Sequence, residues 1–289
     1  MPDALTTAVS HALGTTVSSA RPIAGGDIND TFAVTLADGR GVFVKSNARA
    51  DARWFPCEAR GLAWLAAADA VRLPRVLAVS DEVGPRPFFL VLERIEPAPR
   101  RADFDERLGR GLAALHAAGA DAFGFHESNF IGSLPQANAP RDTWAAFYGS
   151  QRLEPQVRRA VDAGRAPAGW TRLFGRLIAR LPDLAGPPEP PARLHGDLWG
   201  GNVLADERGE PCLIDPAVYG GHREMDLAML RLFGGVGPKC VAAYHEAFPL
   251  AAGHEARVPL CQLYPRLVHV NLFGGGYVHD VESALRSYL

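Results

Sequence analysis

The chain has 289 residues, of which 47% are hydrophobic and 21% charged, and it carries a net charge of -2 from 30 Lys and Arg against 32 Asp and Glu. Single hydrophobic cores stop growing at roughly 250 to 300 residues, so two packed parts are expected. The scattered cations form no stripe for a nucleic-acid backbone, no run of about 18 apolar residues is present, and MPDALTTAVSHALGTTVSS has neither a basic start nor a sustained apolar stretch. These features set aside nucleic-acid and membrane partners and lead to the expectation of a cytoplasmic protein.

Ser10 to Ala20 carries weak signals of a helix followed by a strand. The pattern then sharpens into a hairpin over Ile28 to Lys45. Thr31 to Leu36 is rich in β-formers, Asp38-Gly39 is a turn pair, and Gly41 to Lys45 is a short apolar strand ending in a charge. Before the hairpin, Gly25-Gly26-Asp27-Ile28-Asn29-Asp30 is a glycine turn able to offer N–H groups to an anion. It leads into a strand, so it is not a dinucleotide fingerprint. Pro56 suits the first turn of a helix reaching about Ala68, with Glu58, Leu62 and Leu65 on one face. An acid on an inward face needs a partner, and Lys45 is the candidate.

Val76 to Ser80 and Pro87 to Glu93 are predicted strands, the second ending in Glu93-Arg94-Ile95-Glu96-Pro97. This proline, and helical spacing beyond Asp103, place a boundary between a β-rich N-terminal lobe, residues 1–95, and a mainly helical C-terminal lobe, residues 96–289. Phe104, Leu108, Leu112 and Leu115 form a helical stripe, with His116 beside it as a packed histidine. The stretch from Phe123 to Leu153 is rich in aromatics and amides and is expected to be an irregular insert that lines something. Trp170 to Leu181 is a predicted helix, followed by an extended connector to Pro191. Arg223 to Phe233, Cys240 to Phe248 and Leu260 to Phe273 have helical spacing, with a short helix at the end. Gly234 to Lys239 lacks the full phosphate-loop pattern and follows a helix, so it is a turn. The four cysteines are far apart and the nine histidines show no ligand spacing, so reduced thiols and no structural metal are expected.

The chemistry gathers in LHGDLWGGNVLADERGEPCLIDP, Leu194 to Pro216. Four residues separate Asp197 from Asn202, the spacing of a kinase catalytic loop, and Asp215 follows on a second apolar run after an Asp206 to Gly209 turn. Phosphoryl transfer demands positioning and cancellation of negative charge, which hard oxygen ligands such as Asn202 and Asp215 provide through Mg²⁺ on ATP. Asp197 would face the acceptor hydroxyl as base. His195 is expected to brace the loop, and Asp226, early in the next helix, to tie its backbone down. Strands first and helices afterwards give an α+β arrangement, and the ordered set of glycine turn, strand lysine, helix glutamate, hinge, H-x-D-x-x-x-x-N and later aspartate matches that of a two-lobed protein-kinase-like fold.

The sequence resembles the fructosamine kinase family, also called ketosamine kinases, through HGDLWGGN (His195 to Asn202), IDPAVYGGHREMDLAM (Ile214 to Met229), FGFHESNFIGSLPQ (Phe123 to Gln136), VFVK (Val42 to Lys45) and EARGLAWL (Glu58 to Leu65). The resemblance implies ATP-dependent phosphorylation of a sugar hydroxyl, the 3-hydroxyl, in ketosamines such as fructosamines or ribulosamines. It implies Asp197 as base, Lys45 and Glu58 as the phosphate-gripping pair, Gly25 and Gly26 over the phosphates, Asn202 and Asp215 as metal ligands, and Leu92, Glu93, Arg94 and Ile95 as the adenine-contacting hinge. Some members carry a cysteine in the glycine turn where this chain has Asp27, so a redox-linked dimer is not implied, and monomer and homodimer both stay open. Trp199, Trp144, Phe130, Tyr219 and Asn271 are candidate substrate contacts, each also explicable as an ordinary core residue. The alternatives are a kinase of an aminoglycoside or amino alcohol and a nucleotide-binding pseudokinase. The first is disfavoured by the few acids in the last helices, among them Asp280 and Glu282, and the second by the filled catalytic positions.

Overall fold

A computed structural model of the chain describes residues 1–23, 28–84 and 86–289, so the glycine turn at Gly25 and Gly26, with Asp27, lies outside the described residues. Two compact units are present, Met1–Phe104 with Val203–Pro216, and Asp105–Asn202 with Ala217–Leu289. The first is rich in strand and the second mainly helical, an α+β arrangement.

In the first unit, helix α1 (Asp3–Leu13) presents Leu5 and Val9 one turn apart and stops at Gly14, whose φ of 64° allows the left-handed cap. This helix starts well before the weak signals of Ser10 to Ala20 because threonines dilute its apolar face. Strands β1 (Val17–Pro22), β2 (Asp30–Leu36), β3 (Gly41–Ser46), β4 (Val76–Val79) and β5 (Phe89–Glu93) form an antiparallel sheet in the order β1-β2-β3-β5-β4. Alternation along the strands feeds two cores. Val42, Val44, Phe89 and Val91 join Leu5 and Val9, whereas Leu90 and Leu92 join Phe55, Ala59 and Leu62 of helix α2 (Trp54–Ala66), with Phe43 packed against them.

In the second unit, helix α3 (Phe104–Ala117) precedes the stretch expected to be an irregular insert. That stretch contains regular pieces: a hairpin of β6 (Asn129–Ile131) and β7 (Leu134–Gln136), the short helix α4 (Trp144–Phe147) capped by Thr143, and a π-helical segment over Tyr148–Leu153. Helices α5 (Glu154–Asp162) and α6 (Trp170–Leu184) follow. The last turn of α6 absorbs Pro182, so the connector begins after Leu184 and not at Leu181. Strand β8 (Ala192–Leu194) then leads to the hairpin β9 (Val203–Ala205) and β10 (Pro211–Leu213), which packs as part of the first unit.

Back in the second unit, β11 (Tyr219–Gly221) pairs with β8, followed by α7 (Glu224–Leu232) and α8 (Pro238–Ala247). The predicted helix over Leu260 to Phe273 is two, α9 (His254–Cys261) and α10 (Leu263–Phe273), with α11 (Gly276–Arg286) after them. Pro265 has no N–H to give to the carbonyl of Cys261, so the ladder loses that bond at the junction, while Gln262 still bonds to Val258 and Arg266. The four cysteines are buried free thiols, and among the described residues no helix is long and apolar enough to cross a membrane.

One glycine in α3 fixes a close approach. A Cβ on Gly109 would sit 2.1 Å from the carbonyl oxygen of Cys240 and 3.0 Å from the backbone nitrogen of Tyr244. Helix propensity favours alanine over glycine by about 1 kcal/mol. Overpacking against rigid backbone costs about 1 to 3 kcal/mol and opposes that gain. Gly109→Ala is therefore expected to lower stability, by about 1 kcal/mol once the two effects are combined, measured as a lower urea midpoint. A raised midpoint would contradict this contact.

Candidate active site

The parity of β3 decides where Lys45 points. Val42 and Val44 belong to the α1 face, so Phe43 and Lys45 lie on the α2 face, where Glu58 occupies the stripe of Leu62 and Leu65. Lys45 is 3% exposed, and its Nζ donates to Glu58 Oε1 at 2.7 Å and to Asp215 Oδ1 at 2.6 Å. Burial alone would lower the lysine pKa, but the carboxylates of Asp215 and Glu58 outweigh it and hold the ammonium above its ordinary value. Burial pushes the Glu58 carboxyl up against the pull of Lys45, and the charge of Asp215 adds to the push. Asp215 has a φ of 56°, a left-handed conformation that costs a non-glycine residue about 1 to 3 kcal/mol.

The hairpin that leads to Asp215 is itself held within the first unit. Asp206 Oδ1 accepts from the backbone N–H of Arg208 and Glu210 at 2.9 and 2.8 Å, closing the turn. Arg72 reaches Asp206 at 2.5 Å, Glu207 at 2.7 Å and Glu93 at 2.9 Å. This places the four expected hinge residues. Leu92 is in the core, the Glu93 carboxylate is engaged by Arg72 and Arg75, Arg94 pairs with Glu96, and Ile95 follows the strand half-buried. Side chains at Leu92 and Glu93 are thus committed to the fold, and so is their backbone, which pairs with β3 and, through the Glu93 N–H, reaches the Arg75 carbonyl at 2.8 Å.

The second unit carries the loop after β8. Asn202 Nδ2 donates to the Asp197 carbonyl at 2.8 Å and to its Oδ2 at 3.2 Å, and the Asp197 N–H lies 3.3 Å from His195 Nδ1. His195 is buried, with its carbonyl accepting from Ala217 N–H at 2.9 Å. Gly196 is required between them, because its φ is 82° and a Cβ would fall 2.0 Å from the Ala217 carbonyl oxygen. Beneath the loop, Asp226 accepts from the N–H of His195 at 2.7 Å and of Gly196 at 2.9 Å, with His116 Nε2 at 3.3 Å. Burial would raise the Asp226 pKa, but the hydrogen bond and charge of His116, the charge of His195 and the Gly196 N–H hold it below the ordinary aspartate value.

Asp197 opens onto a pocket lined by Tyr219, Met225, Met229, Tyr264 and His269 among others. Of the five substrate candidates, Tyr219 lines this pocket, although its side chain is almost wholly buried. Trp199 is 39% exposed and meets Phe233, 42% exposed, edge to face at 6.1 Å. Phe233 in turn lies 4.8 Å from the His269 ring. The structure does not bring Trp144 or Asn271 to the pocket lining. Trp144 stacks on Tyr148 at 5.0 Å, and Asn271 donates to the carbonyl and side chain of Gln156 at 2.9 and 2.8 Å. Phe130 is half-buried on β6, also off the lining.

Sequence reasoning missed Tyr264, His269 and Phe233. The i, i+4, i+5 set of Tyr264, Val268 and His269 on α10 was the available signal, hidden among apolar residues that serve the core. His269 Nδ1 sits 2.7 Å from the Pro265 carbonyl, which only an N–H can satisfy, so Nδ1 carries a proton, and burial lowers the pKa of the ring against the raising effect of that bond.

A divalent cation fits the donor chemistry of the first unit. Two carboxylates, Glu58 and Asp215, share one ammonium, so the trio carries a formal excess of negative charge, and Asp215 keeps 44% of its side chain exposed. Magnesium takes one or two protein oxygens and completes its shell with water and phosphate, so a cage of protein ligands is not needed.

A buried lysine held by two acids in one unit, and an aspartate with its asparagine on a braced loop in the other, define a phosphotransferase of protein-kinase-like fold. Choline kinase LicA from Streptococcus pneumoniae shares that fold, with a TM-score of 0.64 at 15% identity over 99% of this chain and 97% of that one. The family model described as fructosamine kinase matches residues 1–289, and ketosamine-3-kinase of Mus musculus is 35% identical over 280 residues, 88% of this chain and 89% of the relative. The crystal structure of a candidate fructosamine-3-kinase from Thermobifida fusca YX-ER1 gives a TM-score of 0.91 at 41% identity, covering 100% and 99% of the two chains. The chain belongs to the fructosamine kinase family; it is a kinase, and that membership implies ATP as phosphate donor.

The lowered pKa of Asp226 has a pH consequence. An aspartate depressed on folding contributes stability that is full above its unfolded value, about 3.9, and is lost as pH falls through the folded value. Asp226→Asn is expected to flatten the acid limb of the stability profile and to cost about 1 to 3 kcal/mol at neutral pH, because at least one buried N–H loses its acceptor. Urea unfolding of both proteins from pH 3 to 7 measures it; parallel profiles would contradict the assignment.

Proposed function

We propose that this kinase transfers the γ-phosphoryl group of ATP to a sugar hydroxyl, the 3-hydroxyl, of ketosamines such as fructosamines or ribulosamines, and so serves deglycation of metabolites or proteins. The observation that carries this is the Lys45 ammonium shared by Glu58 and Asp215. A buried ion pair is a weak source of stability compared with apolar packing. Its use here is to hold a cation ready for phosphates. Membership of the fructosamine kinase family supports the acceptor class.

In this mechanism residues 1–95 hold the nucleotide, with Gly25 and Gly26 over the phosphates, Lys45 oriented by Glu58, and Leu92 to Ile95 beside the base. Residues 96–289 hold the acceptor and the catalytic loop, while Asp215 is carried on the hairpin that packs with the first unit. Asp197 accepts the acceptor's hydroxyl proton as the new O–P bond forms and the bond to ADP breaks. Asn202 and Asp215 would hold Mg²⁺, which supplies cancellation of phosphate charge when bound. Asn202, whose amide nitrogen donates to Asp197, would contribute its amide oxygen. The rings of Trp199 and Phe233 provide apolar faces for the sugar, and His195 and Asp226 fix the loop.

Incubation with ATP and fructosyl-lysine, followed by ³¹P NMR, is expected to give a sugar phosphorylated at the 3-hydroxyl. Asp197→Asn is expected to lower kcat by about 10² to 10⁴, the size of a general-base contribution, with the KM for ATP changed less than about threefold. Turnover of an aminoglycoside or amino alcohol with none of any ketosamine would sink the acceptor assignment.

A further inference from the structure

The second unit buries Arg152, a cation that the mechanism above leaves unused. Arg152 is 0% exposed, and among the described residues no carboxylate lies within ion-pair distance of it. Its Nη1 donates to the carbonyls of Ala137 and Gln151 at 2.6 and 3.1 Å, its Nη2 donates to Asn138 Oδ1 at 2.7 Å, and its buried Nε has no hydrogen-bond partner. Ring faces do the rest: the guanidinium lies 3.9 Å from the centroid of Tyr219, 4.6 Å from Phe147 and 5.3 Å from Tyr264. A buried charge without a counter-charge is expensive. It sits on the π-helical segment Tyr148–Leu153, and such segments cluster at functional sites.

Two of those rings, Tyr219 and Tyr264, line the pocket that holds Asp197. A chain of amides runs from Arg152 to the same place. Asn138 Nδ2 donates to Asn129 Oδ1 at 2.9 Å, Gln136 Nε2 donates to Asn129 Oδ1 at 2.8 Å and to the Ala217 carbonyl at 3.0 Å, and Asn129 Nδ2 donates to the Val218 carbonyl at 2.8 Å. The carbonyls can only accept, so each amide has one possible orientation. Gln136 Oε1 must then face Tyr264, whose hydroxyl donates to it at 2.6 Å. Burial pushes that phenol up to about 12 against the pull of Arg152, so it keeps the proton it donates. Ala217 also donates to the carbonyl of His195, which couples the chain of amides to the Asp197 loop.

We infer that Arg152 is a positioning residue of the acceptor pocket, fixing Tyr264 through its ring face and, by way of Asn138, Asn129 and Gln136, through its hydroxyl, and holding the Tyr219 ring against the guanidinium. This rests on the reading that the pocket beside Asp197 takes the acceptor. The segment from Phe123 to Asn138 thereby acquires a role: it carries the amides that join Tyr264 of the pocket to the catalytic loop.

The test compares wild type, Arg152→Lys, Arg152→Met and Tyr264→Phe, each with kcat, separate KM values for acceptor and ATP, and folded fraction from thermal unfolding. Arg152→Met is expected to raise the acceptor KM about tenfold or more with the KM for ATP changed less than about twofold, Arg152→Lys to recover part of the loss, and Tyr264→Phe to raise the same KM by a smaller factor. An unchanged acceptor KM in the folded fraction, or equal changes in both KM values, overturns the proposal. If Arg152→Met does not fold, Tyr264→Phe decides, since it keeps the ring and removes only the hydroxyl. Failure of the wild type to turn over any ketosamine counts against the acceptor class alone, and the KM comparison is then made with the aminoglycoside or amino alcohol that it does phosphorylate.

Discussion

One ammonium held between two carboxylates organises the first unit. Lys45 can be buried only because Glu58 and Asp215 both meet it, and each of those contacts demands something of the surrounding chain. Glu58 must stand on the inward face of α2, which fixes the rotation of that helix against the sheet. Asp215 must arrive from a distant part of the sequence, which requires a hairpin with its own anchor. Arg72 is that anchor, since a single guanidinium engages Asp206 and Glu207 on the hairpin and Glu93 at the end of β5. The same group therefore ties the hinge segment and the approach to Asp215 to one point.

The second unit solves a related problem with the opposite charge. Asp226 is buried beneath a loop whose N–H groups would otherwise lack acceptors, and it accepts from two of them in succession. Replacing helical or strand pairing by a side-chain carboxylate lets the loop adopt the turn that Gly196 permits, which brings Asp197 and Asn202 together. In both units a buried ion costs desolvation and gives position in return, the trade expected where geometry matters more than stability.

Local sequence made much of this legible. Alternation in Gly41 to Lys45 and the helical spacing of Glu58, Leu62 and Leu65 were enough to pair Lys45 with Glu58, because period-2 and period-3.6 patterns specify faces. The Asp197 to Asn202 spacing was visible for the same reason, being set within one loop. What stayed hidden depends on contacts between distant segments. Nothing in the vicinity of Arg152 marks it as buried, since its partners Asn138, Tyr219 and Tyr264 come from three separate elements. Trp144 and Asn271 looked available to a substrate because composition cannot distinguish an aromatic or amide at a pocket from one inside a core. The break between α9 and α10 was marked by Pro265, but an apolar stripe that continues across it conceals the interruption.

The hairpin Val203–Pro216 has a bearing on how the molecule is made. During synthesis the sheet, α1 and α2 leave the ribosome long before residue 215 exists, so Lys45 first meets Glu58 alone, and Arg72 waits for two of its three carboxylates. A chain ending at Phe104 would hold the five-stranded sheet and both cores of the first unit yet lack the segment that finishes it. Most of the second unit is therefore translated before the first can close, which makes assembly of the lysine's surroundings a late event, set by chain topology and not by the local strength of the sheet.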